Sequence, residues 1–387
     1  MKKLLFVLFA LVGGALFVVV GAFVSNMLSK PRLASLIEVA ENNDVAEARR
    51  LIKSGADVNE KDDNGVTALM YATIYNSNGV VKLLIKSGAD VNAKDDYGHT
   101  ALRWSAVRNS AGVAKLLIDA GADIDAKNNF GNTALIWSAE NNSMGVAKLL
   151  IDAGADIEAK SNAGTTALIC STNYYSVGVA KLLIEAGADI DAKDNYGETA
   201  LMRSAVYNSA GVAKLLIDAG SDINAKDNDG YTALMESAVH NSAGVAKLLI
   251  DAGSDINAKG NDGNTALIKS VVYNSMDVAK LLIEAGADIN ARNKVGDTPL
   301  IYASGRGTSD VVKLLVEAGA NLNDKNDAGE TALMVAALIN SADTARVLIE
   351  AGADMNAKSK TGWTALMIAS HENAKDVERL LKAAGAR

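Results

Sequence analysis

Asp95-Asp96-Tyr97-Gly98-His99-Thr100-Ala101-Leu102 is the stretch on which the reading of the whole chain turns. Its core is a glycine, any residue, a threonine, an alanine or proline, and a leucine. The same string starts at Gly65, and after Gly98 it returns at Gly131, Gly164, Gly197, Gly230, Gly263, Gly296, Gly329 and Gly362, each 33 residues from the last. A second glycine keeps the same register, as in Ile118-Asp119-Ala120-Gly121-Ala122-Asp123-Ile124. Ten such pairs at one spacing are not chance, and a fixed period of this size marks a repeat array. The 387 residues would otherwise suggest two or three domains; the period makes them one array.

Each period carries the chemistry of a turn and two short helices. Thr100 stands where an N-cap belongs, accepting N–H bonds at a helix start. Leu102 and Ala106 give that helix a narrow apolar face of small residues. Asn109 follows, with Asn76, Asn142, Asn208, Asn241 and Asn274 in its column, where a left-handed residue ends a helix. Ser110 and its equivalents are expected to cap a second helix with Val113, Leu116 and Leu117 as its apolar face, and Gly121 ends it. No unit can bury such faces alone, so neighbours stack and stability becomes a sum of nearest-neighbour terms. The ends should then be polar. Arg50 in the first unit, and Glu378 and Lys382 in the last, stand where the other units carry apolar residues.

With Val113-Ala114-Lys115-Leu116-Leu117-Ile118 and Gly121-Ala122-Asp123-Ile124 behind it, the opening stretch resembles one complete ankyrin repeat. The resemblance covers about 350 residues, from Leu33 to the C-terminus. It implies an all-α ankyrin-repeat solenoid of helix-turn-helix units with β-hairpin loops. Residues 33–387 would hold an N-terminal capping unit and ten repeats, the last a C-terminal cap. With helices about 10 Å apart, the array would be a curved rod on the order of 100 Å long. The family's usual T-P-L-H appears here as T-A-L followed by Met, Ile or Arg, and only Pro299 keeps the proline. Losing the histidine removes a hydrogen bond that the family uses to tie hairpin to helix, so looser joints are expected there.

Composition agrees. Thirty-three glycines, 2 prolines and 5% aromatics suit small helices stacked closely. A net charge of −8 argues against a nucleic-acid protein, which normally shows a basic face. Cys170 is the single cysteine, which excludes an internal disulfide and a cysteine-based zinc cluster. At the N-terminus, Leu4 to Val24 run without a charge behind Lys2 and Lys3. As a helix this run spans about 30 Å, the thickness of a bilayer core. Residues 1–25 therefore read as a transmembrane anchor or as a signal segment cleaved near Val20-Gly21-Ala22, and residues 26–32 as a linker. Lys30 and Arg32 balance Lys2 and Lys3, so the positive-inside rule barely discriminates. The short basic start resembles an export signal and favours an extracytoplasmic array; cleavage would make it periplasmic or secreted. No acid precedes Leu33, so the remainder carries −12.

Catalytic and metal motifs fail on spacing. Asp227-Asn228-Asp229-Gly230 with Glu236 resembles a calcium loop, but Ala225 holds the first ligand position. His371-Glu372 begins a zinc motif that ends in Lys375, and His99 and His240 lie about 40 Å apart along such a stack. Ser105, Ser138, Ser171, Ser204, Ser237 and Ser270 form one column and read as small core residues bonding a carbonyl one turn back. Cys170 reads as a filler, with nothing nearby to lower its pKa. Lys115–Asp119, Lys148–Asp152, Lys214–Asp218 and Lys280–Glu284 read as a solvated outer face.

The aromatics carry the functional signal. Of 14 beyond Phe23, 13 fall in four columns. These are the residue before the hairpin glycine (Tyr97, Phe130, Tyr196), the residue after it (Tyr231, Trp363), two residues past the motif leucine (Tyr71, Trp104, Trp137, Tyr302), and the end of the first helix (Tyr75, Tyr174, Tyr207, Tyr273). In ankyrin repeats, as the resemblance implies, hairpin tips and first helices line the concave groove that meets partners. Tyr, Trp and Arg are the residues enriched at binding hot spots. The candidate groove is therefore Tyr97, Trp104, Arg108, Phe130, Trp137, Tyr174, Tyr196, Arg203, Tyr207, Tyr231 and Tyr273, with Glu236 and Asp229 for charge matching. The alternative is that these aromatics roof the ridge between first helices. The expected function is a membrane-tethered, non-catalytic scaffold, monomeric, binding a protein or peptide in its groove, with no cofactor, metal or nucleic acid. The other reading is a secreted or periplasmic spacer, or an inhibitor or effector of a partner protein.

Overall fold

The computed structural model describes residues 35–172 and 176–387. The segments read as anchor and linker, the first two residues of the expected repeat domain, and Tyr174 lie outside the described residues. Among the described residues there are 22 helices and no strand, and no helix is long and apolar enough to cross a membrane.

The unit at Gly98 shows how sequence becomes structure. Its first helix is Ala101–Val107 and its second Ala111–Asp119. Thr100 sits in extended backbone before the first, and its hydroxyl accepts the Arg103 N–H at 3.3 Å. Every threonine in that column does the same. Asn109 then takes φ 51°; nine asparagines of its column lie between 51° and 55°, and Gly307 holds the place at 67°. Asn is one of the few residues besides glycine that enters this region at small cost.

The serine caps of the second helices do not form. Ser110 and its equivalents occupy the N-cap position without a side-chain bond to the helix. The threonine caps have ψ near 165°, whereas Ser110 has ψ 69°, which turns the hydroxyl away from the helix end. Ser143 and Ser242 instead donate to Ala106 and Ala205 carbonyls of the preceding unit, each at 2.5 Å.

The loops are likewise not paired strands. In the Gly98 turn, Asp95 N–H donates to the His99 carbonyl at 3.0 Å and Gly98 N–H to the Asp95 carbonyl at 2.9 Å. The N–H groups of Tyr97 and His99 go to the Asp95 carboxylate, at 2.9 and 2.8 Å. One side chain thus takes the donors that a strand pair would use, and a tight turn closes where a β-hairpin was expected. Asn128, Asp194 and Asp227 repeat the arrangement.

First helices pack on first helices and second on second, each unit touching its sequence neighbours. Leu102, Ala106, Val113, Ala114 and Leu117 are all at most 1% exposed. Small residues on both helices let the backbones approach closely, so each buried leucine carries a large share; truncating one costs about 2–5 kcal/mol.

The turns are joined by ladders running the length of the array. Asn129 N–H donates to the Tyr97 carbonyl, and its side-chain amide to the Asp96 carbonyl, both at 3.0 Å. Lys61 Nζ donates to the main-chain carbonyl of Lys94, Lys94 to that of Lys127, and so on to Lys325, with Arg292 taking one rung. The column of the missing histidine is filled by buried Met and Ile, once by Arg103, and in the last unit by the half-exposed Met367. Neighbouring units are tied turn to turn by these rungs.

The ends are polar, as the stacking argument requires. Arg50 is exposed and pairs with Glu47, and Glu378 bonds Lys382 and Ser370. One unit departs from the pattern: the first helix after Thr166 is Ala167–Cys170, four residues where the others have seven or eight.

Candidate interaction surface

The two faces of the array differ in chemistry. Second helices present Lys115–Asp119, Lys148–Asp152 and Lys214–Asp218 pairs, all well exposed, whereas Lys280 and Glu284 do not close. At that exposure each pair contributes only a few tenths of a kcal/mol.

Turns and first helices carry the aromatics. The tip column is open, with Tyr97, Phe130 and Tyr196 at 45, 43 and 67% exposure, and so is the helix-end column, with Tyr75, Tyr207 and Tyr273 at 52, 36 and 53%. Arg108 is exposed beside them. Most of the remaining described candidates are engaged inside the protein. Tyr71 is buried and donates to Asp62 at 2.9 Å. Arg203 pairs with Glu198 at 3.1 Å and lies over the Tyr207 ring. Glu236 is buried against His240, 3.6 Å away, while Asp229 remains exposed. Tyr231 donates to Asp262 at 2.9 Å and accepts from Lys269, whose Nζ also lies 3.9 Å from the ring centre. Burial pushes Asp262 up, but its bonds with Lys269, Asn264 and Tyr231 outweigh this and draw the carboxyl down to about 2.

Trp104 and Trp137 form the most unusual feature. The guanidinium of Arg103 lies over both indoles, 4.2 and 4.0 Å from their centres. His99 meets both rings edge-on and is held by Asp95 at 3.1 Å. Arg103 is 8% exposed in a column where Met70, Ile136, Ile169 and Met202 are fully buried. Burial draws its guanidinium down to about 10 although Asp95 and Glu140 pull the other way. Its Nε and Nη1, and both indole nitrogens, are covered without an acceptor. Two cation–π contacts, each on the order of 2 kcal/mol when desolvated, offset those unmet bonds.

A repeating turn, a threonine-capped first helix, an asparagine-ended loop and a longer second helix, stacked in register, form a recognisable unit. The family model described as ankyrin repeats (3 copies) matches residues 36–128, 94–161, 120–194, 176–260, 221–293, 257–326 and 300–387. The chain belongs to the ankyrin-repeat family. Ankyrin repeats generally bind protein partners. No curated protein matches the chain.

Within this ankyrin array, Arg103, Asp262 and Lys269 are residues that reading by columns passed over. Two of them had a signal: Arg103 breaks a Met/Ile column, and Lys269 stands where other units carry an aromatic, Arg, Glu, Cys, Val or Ile. Cys170 lies half-buried, and burial, with Glu140 close by, pushes its thiol up to about 12, so it stays protonated at neutral pH. Ser105, Ser138 and their column bond carbonyls one turn back, as expected of core serines.

Proposed function

We propose that this protein is a membrane-tethered, non-catalytic ankyrin scaffold that holds a protein partner against its turn tips and first-helix ends. One observation carries the reading. Among the described residues, every large exposed apolar side chain except Met144 and Val177 belongs to a turn or a first helix. Such a one-sided distribution marks an interaction surface rather than a generic solvated one. Tyr97, Phe130, Tyr196, Tyr207 and Tyr273 are its anchors, and Arg108 supplies polar contact. The uncharged run at residues 4–24 supports the tether, with the array outside the cytoplasm.

The test is a triple variant, Tyr196→Ala, Tyr207→Ala and Tyr273→Ala. A protein crosslinked to the full-length chain in its own cells is lost from the variant, while helicity and melting stay within error. Unchanged capture defeats the reading. Carbonate extraction with protease treatment of intact cells tests the tether: the chain stays in the membrane pellet and its array is digested. A spacer is the second reading. The continuous ladders favour it, and it expects no partner to depend on the aromatics.

A further inference from the structure

Gly305 is the only glycine within a first helix among the described residues, in Pro299–Arg306. Its column holds valine four times (Val107, Val206, Val239, Val272), Ile74 and Leu338, and otherwise Glu41, Glu140, Asn173 and His371. A glycine inside a helix is unfavourable relative to alanine, so its presence asks for a reason. A Cβ there would meet Val335 Cγ1 at 3.2 Å, so the glycine lets the next first helix pack close, and beside it lies a notch of about 240 Å³. Tyr302, Val335 and Leu338 form the apolar lining, and Leu338 is 49% exposed. That volume is below the roughly 300 Å³ at which small-molecule pockets begin, and suits a single long side chain.

The turn-side wall is made of Asp297 and Glu330. Asn326 Nδ2 donates to both, at 3.0 and 3.1 Å, which brings the two carboxylates together. Neither pairs with a cation among the described residues; the nearby Arg292 pairs with Asp327 instead. Among the described residues no hydrogen bond reaches Asp297 Oδ2 or Glu330 Oε1, so each carboxylate keeps free acceptor capacity. Arg306 also lines the notch.

We propose that the notch takes an arginine side chain of the partner polypeptide, its stem over Tyr302, Val335 and Leu338 and its guanidinium between Asp297 and Glu330. A planar fork of donors suits two adjacent carboxylates and stacks on a tyrosine face, which an ammonium does less well. Arg306 lines the same notch and carries the guest's charge, so the paired carboxylates must outweigh it. This rests on the partner-binding reading above and names one feature of the partner.

The test uses full-length protein in detergent and two fluorescein-labelled peptides, Ser-Ala-Leu-Arg-Leu-Ala-Ser and the same peptide with citrulline, a neutral isostere, in place of arginine. Fluorescence anisotropy should show the arginine peptide binding about tenfold or more tightly than the citrulline peptide. Gly305→Val narrows the notch from the side where its Cβ meets Val335 Cγ1 at 3.2 Å, and Glu330→Gln removes charge at constant shape. Each should bring the arginine peptide down to the citrulline level, with circular dichroism unchanged. Equal binding of the two peptides, no binding of either, or an arginine preference that survives in a folded variant overturns the proposal. If the preference is absent while the tyrosine triple variant still loses its crosslinked partner, the notch alone fails. If the preference holds and no partner depends on the tyrosines, the wider surface is what fails.

Discussion

The Arg103 guanidinium carbon lies 4.0 Å from the ring centre of Trp137, a residue of the following unit, so one side chain links two neighbours through an aromatic face. The link leaves Nε and Nη1 without acceptors. Replacing buried charge by an apolar residue of similar volume is often neutral or stabilising, whereas an empty site is not. Arg103→Met, the residue found at 70 and 202, should therefore change stability by less than about 1 kcal/mol. Arg103→Ala should cost about 2–3 kcal/mol by leaving a gap between the indoles. Urea unfolding of both variants, followed by tryptophan fluorescence, checks this; an equal loss in both would mean the charge itself is required.

Two glycines with similar backbones should differ in tolerance. Gly253 has φ +85° and open space where a Cβ would lie, so Gly253→Ala meets only the left-handed cost of about 1–2 kcal/mol. At Gly230 (φ +76°) a Cβ would fall 2.8 Å from Asn261 Oδ1 and 3.0 Å from its backbone nitrogen. Gly230→Ala should cost at least about 1 kcal/mol more, because the next turn must move. Thermal unfolding of the pair measures the difference.

The short first helix Ala167–Cys170 belongs to the one repeat whose left-handed column carries a tyrosine, Tyr175, where described units have Asn or Gly. In general a tyrosine enters the left-handed region at about 1–2 kcal/mol more than glycine does. Tyr175→Asn should lengthen the helix toward seven residues and raise the melting temperature. A lower melting temperature would show that the tyrosine makes contacts worth more than the turn.

Asp262 sets a pH dependence. Its carboxyl lies at about 2 in the folded protein against an ordinary 3.8. A depressed acid contributes stability that is complete above the ordinary value and fades as pH falls from about 4 to about 2. Asp262→Asn should lower the melting temperature at pH 7 and narrow the gap from wild type at pH 2. A gap that stays constant over that range would remove the Lys269 bond as its source.

The parts of the fold that could be read from the sequence are those fixed by local backbone conformation. Gly98, Thr100 and Asn109 each occupy a conformation or make a cap that few residue types manage, so their recurrence gave turn, helix start and helix end. Ser110 misled because capping depends on ψ, which the residue type alone does not fix. The groove was half readable. Exposure of Tyr97, Tyr196 and Tyr273 follows from their columns, but Trp104 and Trp137 turn inward to meet Arg103, and no periodicity reveals where one long side chain points. The notch at Gly305 escaped for a related reason: its walls come from two units and close only on stacking.

The lysine rungs reach for main-chain carbonyls one period further on, not for side chains. A rung is therefore indifferent to the identity of the residue that receives it. Whole units can be copied or excised by unequal recombination, and the joint re-forms at the new boundary with no compensating change. The array can be lengthened or shortened in steps of one unit while individual first helices diverge, so reach and specificity are free to evolve separately.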